Sequence, residues 1–229
     1  MLRDMNKTRD KKRIRAVIFD MDGVISDTQN IHSAIESELL KGYGVTINPE
    51  EITRKYAGTR MKEWMPDVFK HHHVSTPSME EISAKKKVHL ENALKEGIRE
   101  VPGTREFIQF LKEKNIPIAV ASASRLALID LILTKLDLKK EFDAIASSEE
   151  VKMGKPEPDV FLLAAQRLSV PPSDSLVIED GISGMVAAKK AGMRCVALVR
   201  GSNEDKQDNY PANLVVSDLR ETVCHDFLF

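Results

Sequence analysis

Cysteine is nearly missing from these 229 residues: Cys195 and Cys224 are the only two, in unrelated contexts. That scarcity argues against a disulfide framework, and the two lack the spacing of a structural zinc site. A reducing compartment, and so a cytoplasmic protein, is the expectation. No apolar run approaches the roughly 20 residues of a membrane-spanning helix, so no span is expected. Excess charge is missing too. Against 34 Lys and Arg stand 35 Asp and Glu, a net charge of −1. No global field therefore favours nucleic acid or an anionic membrane as partner, although a local basic pocket stays open. There is no internal repeat and no low-complexity tract. Met1 to Lys12 is polar and charged. It lacks the apolar stretch of a signal peptide, and Asp4 and Asp10 fit poorly with a transit peptide, so residues 1–13 are expected to be a loosely ordered leader.

What is present is a globular balance, 42% hydrophobic and 30% charged, enough for one domain with a smaller insert. Short continuous apolar runs recur: Ala16–Phe19, Ile118–Ala121, Ala144–Ala146, Leu176–Ile178, Val196–Val199 and Leu214–Val216. Continuous rather than alternating hydrophobicity predicts strands covered on both faces. Between them Phe107, Phe110 and Leu111 make a helical stripe, as do Val160, Leu163 and Ala164. The stretch Leu126–Leu136 is apolar nearly all round and predicts a helix packed on every side. Strand and helix alternate from about Val101 onward, which predicts an α/β fold, a doubly wound Rossmann-like parallel sheet. One segment breaks the alternation. From Asn30 to Gly97 there are helical patterns, such as Ile31, Ile35 and Leu39, but no buried strand. It predicts an all-helical cap over residues 29–98, inserted into a core of residues 14–28 and 99–229. Placed directly after the first strand, such an insert lies over the strand ends where open α/β sheets bind ligands.

Four polar clusters follow the predicted strands or their immediate loops: Asp20 and Asp22; Ser122; Lys155, between Gly154 and Pro156; and Glu179 with Asp180. In a doubly wound sheet these ends converge on one crevice. Carboxylates gathered without arginines repel one another, and Mg²⁺ is the hard cation that suits them. A carboxylate such as Asp20 can attack phosphorus, and Asp22, two residues on, can move the proton. Ser122 can donate to a phosphate oxygen, and Lys155 can stabilise charge on both phosphate and Asp20.

Asp20-Met21-Asp22-Gly23-Val24, Ala121-Ser122-Ala123-Ser124, Gly154-Lys155-Pro156-Glu157-Pro158-Asp159 and Glu179-Asp180-Gly181-Ile182-Ser183-Gly184 resemble the four ordered motifs of the haloacid dehalogenase-like hydrolases. The likeness runs from Ile14 onward and is nearest the subgroup of β-phosphoglucomutase and sugar-phosphate or nucleotide phosphatases. It implies an aspartyl-phosphate enzyme with Asp20 as nucleophile and Asp22 as acid and base. Ser122, Ala123 and Lys155 are then phosphate-site residues. Magnesium is implied at the Asp20 side chain, the Asp22 backbone carbonyl, Glu179 and Asp180. His32 matches a histidine seen in many relatives and Lys87 a cap lysine that reaches substrate in β-phosphoglucomutase; with Arg60 of the cap they are the expected substrate-binding residues.

Each signal has a plainer reading. Asp-x-Asp-Gly is by itself most often a turn. Ser122 and Ser124 could both cap the next helix; Ser124 is expected to do so, leaving Ser122 for phosphate. Glu179-Asp180 could be a helix-start acidic pair. His32 is as well explained by packing as by substrate. His71-His72-His73 do not share a helix face, so no metal is expected there. Lys85-Lys86-Lys87 reads as a solvated face, with Lys87 the exception.

Dehalogenase relatives lack the second aspartate, so Asp22 with Glu179-Asp180 points away from that chemistry. A mutase must hold a bisphosphate in two orientations, yet Ala57 and Met61 stand where the mutase carries lysine and arginine, with Arg60 one residue away. The expectation is a phosphatase of a small phosphorylated metabolite, acting as a monomer, with the mutase as alternative. A phospho-accepting signalling module needs about half this length and has no cap. A non-catalytic binding protein is unsupported, because every expected catalytic position is filled.

Overall fold

The structure is a computed structural model that describes residues 13–200 and 210–221. The leader Met1–Lys12 and Cys224 lie outside the described residues. All six apolar runs are strands: β1 Ala16–Phe19, β2 Ile118–Ser122, β3 Ala144–Ser147, β4 Ser175–Glu179, β5 Arg194–Leu198 and β6 Leu214–Val216. They form one parallel sheet in the order β3-β2-β1-β4-β5-β6. The chain leaves β1 in one direction to build β2 and β3, then returns past it to build β4, β5 and β6. The carboxyl ends of β1 and β4 therefore flank the topological switch, the position where such sheets open a crevice.

Successive side chains of each strand face opposite sides, and here the two sides differ in bulk. Val17, Phe19, Ile118, Val120, Leu176, Ile178, Val196 and Leu198 join one buried cluster, and the smaller set Ile18, Ala119, Ala121, Val177, Cys195 and Ala197 joins the other. Helices α5 (Thr104–Glu113) and α6 (Leu126–Lys135) belong to the bulky side, where Phe19 meets Phe107 edge to face at 6.0 Å. Helices α7 (Asp159–Arg167) and α8 (Ile182–Lys190) pack on the other side. Their alanines at 164, 165, 187 and 188 let backbone approach a face lined with small residues.

Four helices occupy the chain between β1 and α5: α1 Gln29–Gly42, α2 Pro49–Tyr56, α3 Met61–His71 and α4 Met79–Lys95. Local chemistry starts two of them. The Asn48 side chain accepts from the Glu50 amide at 2.8 Å with Pro49 in the first helical position, and Ser78 accepts from the Glu81 amide at 3.3 Å. Ile35, Leu39, Leu40, Ile52, Met65, Phe69, Ile82 and Leu90 bury the inner faces. Chain entering and leaving this helical cap runs side by side: the Asp27 amide donates to Arg99 O at 2.9 Å and the Val101 amide to Ile25 O at 3.0 Å. No helix among the described residues is long and apolar enough to cross a membrane.

Two local expectations need correction, both at α6. The helix is not packed on every side. Ile129, Ile132 and Leu133 are buried, but Leu126 is 37% exposed, and Ala127, Leu128 and Leu131 face a cavity. One apolar stripe meets the sheet and the other forms a wall. Ser124 does not cap α6 either. Arg125 precedes the helix without a side-chain cap, and the Glu149 carboxylate accepts from the Leu126 amide at 3.1 Å instead. The Ser124 hydroxyl is used elsewhere.

Candidate active site

The strand ends carry the expected side chains to one place. Asp20 leaves β1 buried, and Lys155, wholly buried, bonds its Oδ1. The same ammonium donates to Glu179 Oε1 at 2.8 Å and Ala121 O at 3.2 Å, and lies 4.7 Å from the centre of the Phe161 ring. All three protons of the ammonium therefore have acceptors. Glu179 Oε2 accepts from the Gly181 amide at 2.6 Å. Asp180 Oδ1 is buried and meets no donor. Asp20, Glu179 and Asp180 each place an oxygen within 4.8 Å of the others. Gly23 makes that approach possible: its φ is +98°, and a Cβ there would lie 2.0 Å from Asp180 Oδ2.

Asp20 and Glu179 thus share one ammonium with Asp180 close by, and the protonation of Asp20 and Asp180 reflects the crowding. Burial, with repulsion from Glu179 and Asp22, outweighs the attraction of Lys155 and lifts Asp20 to about 8. Burial and the neighbouring Glu179 and Asp20 also hold Asp180 well above the carboxylate range. Lys155 is desolvated as well, but Asp20 and Glu179 overcome that and raise it. A divalent cation beside Asp20 and Asp180 is the partner that would let both ionise. The donor set is all oxygen and fits magnesium, and the unmet Asp180 oxygen fits it best.

Asp22 is the opposite case. Burial would raise it, but His32, Thr28 and Ser124 pull it down to about 2. Thr28 Oγ1 donates to its Oδ1 at 2.5 Å, and Ser124 Oγ donates to Oδ2 at 3.1 Å. His32 Nε2 lies 3.2 Å from Oδ1 without the alignment of a hydrogen bond. The Ser122 hydroxyl is buried and accepts the Ser124 amide at 3.0 Å.

Above this floor is a cavity of about 400 Å³. Asp20, Asp22, Ala123, His32, Arg60 and Lys87 border it, whereas Ser122, Lys155 and Glu179 are fully buried beneath it. Helix α4 turns one face inward, with Ser83, Lys86, Lys87, Leu90 and Glu91 at helical spacing. Lys87 pairs with Glu91 at 3.8 Å in the open, while Lys86 pairs with the buried Glu36 at 2.5 Å. Arg60 borders the cavity with its guanidinium already engaged: Nε donates to Glu63 Oε1 at 2.7 Å, Nη1 to Ser148 O at 3.0 Å and Nη2 to Lys152 O at 3.2 Å.

Sequence reasoning missed Thr28 and Ser124 as holders of Asp22, and Glu36, Lys86 and Glu63 above them. Phase could have found Lys86, because it stands four residues before the buried Leu90. Nothing local marks Glu36, whose partner Lys86 comes from another helix, whereas the i, i+3 spacing of Arg60 and Glu63 was a local signal.

A sequence model of the haloacid dehalogenase-like hydrolases matches residues 17–198. The chain belongs to that family. Hexitol phosphatase B of Escherichia coli O157:H7 is 30% identical over 95% of this chain and 98% of its own. The phosphorylated carbohydrates phosphatase of Thermotoga maritima is 36% identical over 84% and 89%. Among solved structures, β-phosphoglucomutase of Clostridium difficile superposes with a TM-score of 0.80 at 27% identity, covering 94% of this chain and 97% of that one. Within the haloacid dehalogenase-like family, near-full-length likeness to phosphatases places this enzyme among the phosphoric monoester hydrolases.

Proposed function

We propose that the enzyme removes the phosphate from a small phosphorylated metabolite, of the sugar-phosphate or nucleotide kind, with magnesium and through an aspartyl-phosphate on Asp20. The observation that carries this reading is the division between two neighbouring carboxylates. Asp20 lies buried against Lys155 at the cavity floor, and Asp22 is held apart from it by two hydroxyl donors with His32 alongside. Two neighbouring carboxylates held by separate partners can take separate tasks.

In the first step Asp20 forms a bond to phosphorus as the ester bond to the metabolite oxygen breaks, and Asp22 gives that oxygen a proton. In the second, Asp22 takes a proton from water as the water oxygen bonds to phosphorus, and the Asp20–phosphorus bond breaks to release phosphate. Asp22 as found is in the ionised form that the second step uses. Lys155 opposes charge on Asp20 and on the phosphoryl oxygens, and Ser122 and the Ala123 turn contribute donors to them. Asp20, Asp180 and the Asp22 backbone carbonyl would hold the magnesium, which neutralises phosphate charge when bound. Glu179, with both oxygens met by Lys155 and Gly181, holds the lysine beside that group.

Structural likeness to β-phosphoglucomutase keeps a mutase as second reading. A mutase needs a cation free to hold a second phosphate, and Arg60 is spent on Glu63 and two carbonyls. That favours hydrolysis. Turnover of p-nitrophenyl phosphate with magnesium is expected to vanish on chelation and in Asp20→Asn. Full activity in pure Asp20→Asn would sink the assignment. With β-glucose 1-phosphate and a trace of the 1,6-bisphosphate, free phosphate is expected; accumulating glucose 6-phosphate would select the mutase. A panel of metabolite phosphates then ranks substrates.

A further inference from the structure

The loop that delivers Lys155 is held from above as well as from its own strand. Between the end of β3 and Lys155 the chain makes a short turn, Ser148–Glu150, and then runs through Val151 to Gly154 without regular hydrogen bonding. Arg60, just before α3, donates to Ser148 O at 3.0 Å and to Lys152 O at 3.2 Å, one bond near each end of that run. Glu63, one turn into α3, accepts from the Gly154 amide at 3.2 Å, and Gly154 is the residue before Lys155. The two cap side chains are themselves paired, Arg60 Nε to Glu63 Oε1 at 2.7 Å. The Arg60 side chain is only 11% exposed. Gly154 fits beneath them closely: a Cβ there would come within 2.7 Å of Arg60 Nε and 2.9 Å of Glu63 Oε2.

We infer that Arg60 and Glu63 form a clasp by which the cap fixes the 148–154 loop and so positions Lys155 against Asp20. The pair are positioning residues that touch neither substrate nor the reacting atoms. The inference rests on the phosphatase reading, since it gives the lysine something to do. Its physical content is coupling. The three bonds exist only while the start of α3 rests on the loop, so the lysine is held fully in place only in that arrangement. A cap swung away would leave the loop with three fewer bonds and Lys155 less well placed. A guanidinium suits the task because its fork reaches a carboxylate and two carbonyls at once, which an ammonium cannot do in one geometry.

The test compares native enzyme with Arg60→Met, Arg60→Lys and Glu63→Gln, using two readouts. Hydrogen exchange by mass spectrometry is read on peptides spanning 148–156, with β4 and α7 as internal controls. Arg60→Met is expected to speed exchange of 148–156 by at least about tenfold and leave the controls unchanged, in line with local opening of a few bonds. Turnover of p-nitrophenyl phosphate is then expected to lose kcat by up to about 10²-fold, the effect of a displaced catalytic group, with KM moving much less. Arg60→Lys should fall between native and Arg60→Met in both readouts. Glu63→Gln, which keeps an acceptor for the Gly154 amide, should be the mildest and covers the case in which Arg60→Met does not fold. Unchanged exchange at 148–156 in the variants overturns the clasp. So does faster exchange with kcat intact, or a KM increase at constant kcat, which would make Arg60 a substrate ligand. If native enzyme turns over no phosphate ester, the phosphatase reading fails while the exchange data still decide whether the clasp exists.

Discussion

The floor and the roof of the cavity handle charge in opposite ways. At the floor, Asp20, Glu179 and Asp180 crowd around a single ammonium, and one Asp180 oxygen meets no protein donor. At the roof, Arg60, Lys86 and Lys87 each have a carboxylate of their own in Glu63, Glu36 and Glu91. The floor gathers carboxylates that call for a cation, and a phosphate can approach them only with that cation's help. Most of the roof's charge is paired, with Lys62 a further cation on the cavity, and the roof offers shape, hydrogen bonds and attachment to the core. Chemistry belongs to the first and selection to the second, and the two can be separated by asking which changes damage the fold, which damage turnover and which do neither.

The largest effect is expected from Lys155→Met. The substitution keeps the length of the side chain but leaves the buried Asp20 and Glu179 without their ammonium. Removing one partner from a buried charge pair costs about 3–5 kcal/mol. Urea unfolding should show a loss of that size in metal-free enzyme, and added magnesium should restore part of it, because an ion that binds the folded form stabilises by mass action. Phosphatase turnover should be lost in both conditions. If metal-free Lys155→Met matched native stability, the floor would not be the charge-starved cluster described here, and the contrast with the roof would collapse.

The legibility of the molecule follows the same division. The inner strands were readable because burial on both faces leaves apolar runs, as in Ala16–Phe19 and Leu176–Ile178, and the partly exposed edge strands β3 and β6 keep short apolar runs as well. Floor residues were readable because parallel topology sends strand ends to one crevice whatever the loops do, so position after a strand already predicts convergence. Lys155 and Asp20 are 135 residues apart and still meet. Roof residues depend on the phase and docking of helices, which no local pattern encodes. Arg60 was expected at the substrate, and its carbonyl partners at 148 and 152 were not foreseen because they belong to a distant loop. Helix α6 looked fully buried because an apolar wall facing a cavity and one facing a core have the same composition. Ser124 looked like a helix cap, since Ser before an apolar run usually is one; proximity to Asp22, 102 residues earlier, took its hydroxyl instead.

That hydroxyl gives a middle-sized test at the boundary of the two regions. Ser124→Ala removes one of the donors that keep Asp22 ionised. A hydrogen bond to a charged group contributes about 1.5–3 kcal/mol, so a loss near the lower end is expected at pH 6. The sign of its pH dependence follows from Asp22 being depressed to about 2 against an unfolded value near 4. Stability from a depressed carboxylate is present above the unfolded value and disappears as pH falls through the folded one. The gap between native and Ser124→Ala should therefore be constant above about pH 5 and narrow between about pH 4 and pH 2. A gap that stays constant down to pH 2 would mean the serine packs there and does not hold the charge.

The smallest effects should come from the roof pairs, and they differ from each other in a way exposure predicts. Glu36 and Lys86 have side chains only 8% and 18% exposed at 2.5 Å, whereas Lys87 and Glu91 are 64% and 51% exposed at 3.8 Å. Solvent and salt screen the second pair and reach the first far less. A double-mutant cycle with Glu36→Gln and Lys86→Met should give a coupling of about 1 kcal/mol that survives 0.5 M salt, measured by urea unfolding. The matching cycle on Lys87 and Glu91 should give a coupling within error at any salt. Equal couplings in the two cycles would show that the roof does not distinguish an inner pair from an outer one. A coupling confined to Glu36 and Lys86 would instead make that pair the fixed polar element of the cavity wall, opposite the apolar stripe of Leu128 and Leu131. Substrate selection would then be sought between those two surfaces, with Lys87 at the rim left free to vary.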